Sequence, residues 1–252
     1  MTEIELRKLY LKAIDQAYEC VNELSTLNRS AQLLRYLNRK ETKELFKERE
    51  TGKLHNVLWK GTVCHIIIRT FAVCFDGGHK RTDLSPIEWK KVINRDECNF
   101  SSVVAFLSHK HEGAFFIKKL AARNSAFRKF ANNHKEELAA LGLKDAASRE
   151  LKEDENTNLS QLECAMSAWR NLRNDSRLEK FCQLRNRFIA HKNHLTDIWF
   201  AKYDLKAEEL INFVEKIWGV ASSILSLLLY GVIKVGSSKV EDDMNRLLLK
   251  NT

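Results

Sequence analysis

"IWGVASSILSLLLYGVI", Ile217 to Ile233, runs for seventeen residues without a charge, and its reading decides the fold. A membrane-spanning helix needs about twenty predominantly apolar residues. This run is at the short limit, holds three serines and comes after "DLKAEELINFVEK", Asp204 to Lys216, which is amphipathic at helical spacing. An amphipathic helix that becomes apolar all round belongs inside a bundle. The segment, from about Leu205 to Tyr230, is therefore expected to be a buried central helix, with no membrane partner.

The rest of the chain agrees with a helical reading. One proline and nine glycines in 252 residues leave few positions for the tight turns that strands require. Apolar residues near Leu6, Leu9, Ala13, Ala17, Val21 and Leu24 recur at helical spacing. "VLWKGTVCHIIIRTFAVCF", Val57 to Phe75, reads as a largely buried helix with one charge, Arg69, inside it. Gly77 and Gly78 suit its left-handed cap, and Pro86 suits the first turn of the next helix. Short helices are expected at Ile87–Asn94 and Phe100–Ser108, and a longer one from Glu112 to Leu141. The fold class is all-α, a helical bundle with extra N- and C-terminal helices in a single domain over 1–252. Within it, 1–50 reads as an N-terminal helical extension and 51–235 as the bundle. A polar loop falls at 144–160 and a tail helix at 236–252.

Charge and cysteine usage narrow the partners. There are 42 Lys and Arg against 33 Asp and Glu, a formal net charge of +9. Such a surplus favours acidic partners, of which nucleic acid is the simplest. Six cysteines lie far apart with no CxxC pair, and "MTEIELRKLY" lacks the apolar core of a signal peptide. Reduced thiols and a cytoplasmic location are expected. His109 and His111 have no carboxylate or thiolate at ligand spacing, so no metal is expected. "TGKL" at Thr51 lacks the upstream glycine of a phosphate-binding loop, and neither GxSxG nor HExxH occurs. No cofactor is implied.

"LRNRFIAHKNH", Leu184 to His194, is the stretch that carries chemistry. An arginine suits phosphate because its planar guanidinium donates several hydrogen bonds and keeps its charge. A histidine suits proton transfer because its pKa lies near neutrality. Metal-free cleavage of RNA needs both: the 2′-hydroxyl attacks phosphorus as a base takes its proton, an acid protonates the 5′-oxygen that leaves, and a cation stabilises the phosphoryl oxygens.

"RNRFIAH", Arg185 to His191, resembles the R-x(4–6)-H signature of the HEPN superfamily, with the polar Asn186 directly after the arginine. The "AH" ending, together with the apolar helix closing on Phe75-Asp76 and the later "LSPIEWKKVI", is similar to the abortive-infection, AbiU2-like branch of phage-defence and toxin proteins. The resemblance implies a helical bundle that dimerises, RNA as substrate, and metal-independent endoribonuclease activity at a shared cleft. It also implies an antitoxin protein as a further partner. On the same ground Arg185 would bind phosphate, Asn186 would orient it, and His191 would act as general acid or base. Positions six apart on a straight helix differ by about a third of a turn and ~9 Å along the axis. Arg187 and His191, four apart, are nearer neighbours, so Arg187 stands as the rival phosphate ligand. Arg69 and Asp76 are candidate supports from a neighbouring helix, with a structural salt bridge as the alternative.

A second basic region is "HKHEGAFFIKKLAARNSAFRKFANNHK", His109 to Lys135, with seven Lys and Arg, one acidic residue and four interleaved phenylalanines. Lys118, Lys119, Arg123, Arg128 and Lys129 are candidates to track an RNA backbone. Phe115, Phe116, Phe127 and Phe130 read rather as core residues. The rival to an RNase is a non-catalytic helical module that binds RNA or a partner protein through this surface.

Overall fold

The computed structural model describes residues 2–75, 100–108, 110–140, 155–190, 204 and 206–229. Among the described residues every regular element is helical. They are α1 (Glu3–Asn38), α2 (Lys40–Leu45), α3 (Arg49–Thr70), a π-turn that continues α3 (Phe71–Phe75), α4 (Phe100–Ser108), α5 (Lys110–Asn133), α6 (Lys135–Ala140), α7 (Glu155–Arg173), α8 (Ser176–Ala190) and α9 (Ala207–Leu229). The protein is all-α.

The N-terminal helix is not an extension. Its start is fixed by a capping box: Glu5 N–H donates to the Thr2 hydroxyl at 3.3 Å, and Thr2 N–H donates to the Glu5 carboxylate at 2.8 Å. Such a box satisfies two otherwise orphaned donors. From there α1 continues unbroken for 36 residues. Ala13, Ala17, Cys20, Leu24, Leu27, Ala31 and Leu34 all join the same buried cluster as α3, α4, α5, α7, α8 and α9. Its most extensive partner is α9, and α3 comes next. The small residues Ala13, Ala17 and Ala31 let neighbouring helices approach closely. Polar ties reinforce the packing: Arg35 donates to both oxygens of Glu215 on α9 at 2.8 and 3.0 Å.

The charge-free segment Ile217 to Ile233 lies mostly within α9. Phe213, Val214, Ile217, Ala221, Ile224, Leu225 and Leu228 are buried against α1 and α7, while Tyr230 to Ile233 lie outside the described residues. Among the described residues two helices, Arg49–Phe75 and Ala207–Leu229, are long and apolar enough to cross a membrane, and both carry a stripe buried inside the bundle. Trp169, Phe100, Phe106, Phe116, Phe181 and Phe213 are wholly enclosed. Burying an aromatic side chain of this kind is worth about 2–3 kcal/mol.

Two boundaries differ from the sequence reading. The stretch Arg39 to Lys53, whose dominance by charge suggests a solvated helix end and loop, holds a separate short helix, α2, and the first turn of α3. The polar loop expected at 144–160 is already helical from Glu155, where α7 begins. Here Asn158 is buried, so a polar composition did not mean exposure. The expected turn at Gly77 and Gly78, the helix at Ile87–Asn94 and the tail helix at 236–252 lie outside the described residues. Cys20, Cys64 and Cys74 are buried and in no disulfide, and burial pushes the Cys64 thiol up to about 11.

Candidate functional site

Helix α8 carries the motif, and its N-terminal end is tightly held. Asp175 accepts the Arg177 N–H at 3.0 Å and the Arg177 guanidinium at 2.8 and 2.5 Å. An aspartate at this position satisfies an orphan donor of the first turn and faces the positive end of the helix dipole. Hydrogen bonding from Arg177 holds the Asp175 carboxyl at about 2. One turn on, Lys180 donates to Glu209 at 2.9 Å and to the Asp204 carbonyl at 2.7 Å, joining α8 to the start of α9. Phe181 and Leu184 then face the core, and α8 packs on α3.

That packing brings Arg185 to the end of α3. Its guanidinium carbon lies 4.9 Å from the centroid of the Phe71 ring. Its Nε and Nη2 both donate to Asn186 Oδ1, at 3.2 and 3.1 Å. Asn186 Nδ2 in turn donates to Cys182 Sγ at 3.9 Å. Partial burial lowers the pKa of Arg185, but an arginine so placed remains charged at any physiological pH. The structure thus joins a partly buried Arg185 to an exposed Asn186. The Arg187 side chain, His191 and Asp76 lie outside the described residues.

Phe71 is a contributor that the sequence did not reveal. It opens the π-turn, is 4% exposed, and lies 5.6 Å from Phe75. Phe75 stacks on Trp169 of α7 at 5.5 Å with the rings within 6° of parallel. At the other end of the turn Ser101 of α4 donates to the Cys74 carbonyl at 2.6 Å. Single π-turns inside helices often mark functional sites. Nothing in the string "FAVCF" announces one.

Arg69 does not reach this group. It is paired across to α1, where Nε donates to Glu23 at 3.1 Å and Nη2 meets the other carboxylate oxygen at 2.5 Å. Arg69 therefore makes a structural salt bridge with Glu23 of α1.

The basic helix α5 divides into two faces. Lys118, Lys119 and Lys129 are exposed, with Ala122 and Ala126 between them. Lys119 lies 5.2 Å over the Phe115 ring and 4.0 Å from Glu3. Lys118 and Lys129 fall on one helix face, about 16 Å apart along the axis. Arg123 points the other way: it donates to the Leu228 carbonyl at 2.9 Å and the Leu227 carbonyl at 3.0 Å, at the end of α9. Its place is structural, because the last carbonyls of a helix have no partner within it. The Arg128 side chain lies outside the described residues. Of the phenylalanines, Phe116 is buried and Phe130 is half exposed; the Phe127 side chain lies outside the described residues.

Among the described residues no group of three or more His, Cys, Asp or Glu could hold a metal ion. No family model, curated protein or solved structure matches the chain.

Proposed function

We propose that this chain is a HEPN-type, metal-independent endoribonuclease. The observation that supports it is the pairing of Arg185 with Asn186 on a helix anchored at its far end, with the guanidinium laid against Phe71. A preorganised cation of this kind suits the charge that builds on phosphoryl oxygens during transfer. In this reading Arg185 binds the scissile phosphate, Asn186 orients the guanidinium, and His191 moves the proton. Arg187 is the competing phosphate ligand. A homodimer brings two motifs to one cleft and supplies the acid, base and charge that one motif lacks. Such an enzyme fits a cytoplasmic role in phage defence or a toxin system, with an antitoxin protein as its restraint.

The test is incubation of purified protein with RNA in EDTA, beside Arg185→Ala, Arg187→Ala and His191→Ala. With no metal to activate water, the nucleophile is the neighbouring 2′-hydroxyl, held close by the substrate's own sugar. The expected products carry 2′,3′-cyclic phosphate and 5′-hydroxyl ends, and a 2′-deoxy residue at the cleavage site blocks cutting. Loss of His191 is expected to slow cleavage by roughly a hundredfold or more. Cutting that persists on the 2′-deoxy substrate, or that needs magnesium, removes the mechanism. An equal loss in Arg187→Ala and Arg185→Ala would give the phosphate role to Arg187 as well.

The exposed lysines of α5 favour a second reading, a non-catalytic module that binds RNA along that helix. It predicts salt-sensitive binding with no cleavage in any buffer.

A further inference from the structure

We infer that Phe71 is the positioning residue for Arg185, a role that rests on the reading of Arg185 as a phosphate ligand. An arginine side chain has four rotatable bonds, and ordering it at the moment a ligand arrives weakens binding. Here that ordering is built into the fold. The guanidinium carbon lies 4.9 Å from the centre of the ring, while Nε and Nη2 donate to Asn186 Oδ1. Ring and amide together restrain the guanidinium from two sides. A lysine could use neither contact in this way, since its ammonium is a point charge without a plane.

The ring can serve as a platform because it is itself immobile. Phe71 is 4% exposed, and its backbone N–H donates to the carbonyls of Ile67 and Ile68. Phe75 packs beside it, and Trp169 stacks on Phe75. Phe100 of α4 then meets Trp169 edge-on at 4.7 Å. The guanidinium therefore sits at the outer end of an aromatic series that runs back into the core. Aromatic–cation contacts strengthen as they are desolvated, and the partial burial of Arg185 supplies part of that condition.

The experiment tracks the Arg185 Nε–Hε resonance in protein labelled with ¹⁵N-arginine, identified by its loss in Arg185→Lys. In the wild type this proton is expected to be shifted upfield by the ring and to exchange slowly with water. Phe71→Met, which keeps apolar bulk and removes the ring, is expected to abolish the upfield shift and speed exchange about tenfold. Pentafluorophenylalanine in place of Phe71 keeps the shape, and so the fold, while inverting the ring's charge distribution. It is expected to speed exchange as well, and Phe71→Tyr is expected to behave as wild type. Affinity for a non-cleavable 2′-deoxy-substituted RNA oligonucleotide is expected to fall roughly three- to tenfold in the first two variants, and not in Phe71→Tyr. Unchanged shift and exchange in both ring-altered variants overturn the proposal, as does an affinity loss that Phe71→Tyr shares. If the wild-type Arg185 resonance ignores the oligonucleotide, the RNA reading fails by itself. The coupling of Phe71 to Arg185 is then decided by the exchange rates.

Discussion

Replacing Arg123 with methionine tests whether this cation belongs to the packed face of α5 or to its exposed, lysine-bearing surface. The long apolar stem is kept while two charge-assisted bonds to the Leu227 and Leu228 carbonyls are lost. Hydrogen bonds to charged groups contribute about 1.5–3 kcal/mol each. These two share one guanidinium that is partly open to water, so a combined loss of about 2–3 kcal/mol is expected. The favourable placement of a cation at a helix C-terminus is included in that figure. For a domain of this size 1 kcal/mol moves the melting midpoint by about 2–4 °C, which predicts a drop of about 4–12 °C by circular dichroism. RNA binding, measured by fluorescence anisotropy across a salt series, should keep its slope in the same protein. The triple variant Lys118→Ala, Lys119→Ala, Lys129→Ala should do the reverse. Exposed substitutions of that kind stay within about 0.5 kcal/mol each, while each lost phosphate contact flattens the slope by about 0.7 on single strands. If Arg123→Met melts within a degree of wild type and flattens the salt slope, Arg123 is an RNA ligand and the structural assignment is wrong.

Two further predictions concern stability. A Cβ at Gly113 would lie 2.7 Å from the Leu107 carbonyl oxygen, whereas one at Gly219 meets nothing within 4 Å. Gly113→Ala should therefore cost about 1–3 kcal/mol in urea denaturation, while Gly219→Ala should gain up to about 1 kcal/mol from helix propensity; equal effects would contradict the α4–α5 packing. Asp175, held at about 2 by Arg177 against an ordinary 3.8, adds stability that is fully present above pH 4 and is lost as pH falls through 2. Asp175→Asn should lower stability at pH 7 by about 1–2 kcal/mol, with the gap to wild type closing as pH approaches 2; a gap that persists there would show that charge is not the cause.

The helical class was legible because it rests on the scarcity of proline and glycine and on long apolar runs such as Val57–Phe75. The place of α1 was not. A reader of sequence weighs bulky apolar residues, and α1 buries Ala13, Ala17, Cys20 and Ala31 together with the polar Gln16 and Asn28. Such a helix looks peripheral although its small side chains make it a close neighbour of both α3 and α9. The orientation of Arg123 was legible, and the signal was periodicity. It comes seven positions after Phe116 and three after Leu120, which puts it on the core face, whereas Lys118 and Lys129 fall on the opposite side. Composition grouped them; spacing separates them. The pairing of Arg69 with Glu23 spans 46 positions of sequence, a contact that only the packing of α3 on α1 can create.

The π-turn explains how one helix end serves two neighbours. In a continuous α-helix Phe71 and Phe75 would lie about 40° apart in azimuth and lean toward the same partner. A π-turn is wider than an α-turn and so changes the azimuth of Phe75 relative to that course. Here Phe71 faces Arg185 of α8, while Phe75 stacks on Trp169 of α7 and lies 6.4 Å from Phe213 of α9. The irregular hydrogen bonding is offset by Ser101, which donates to the Cys74 carbonyl within the turn. The same turn thus anchors α3 in the aromatic core and leaves one ring to meet a charge. The contact of Phe71 with Arg185 and the stacking of Phe75 on Trp169 both depend on the azimuths that this turn sets.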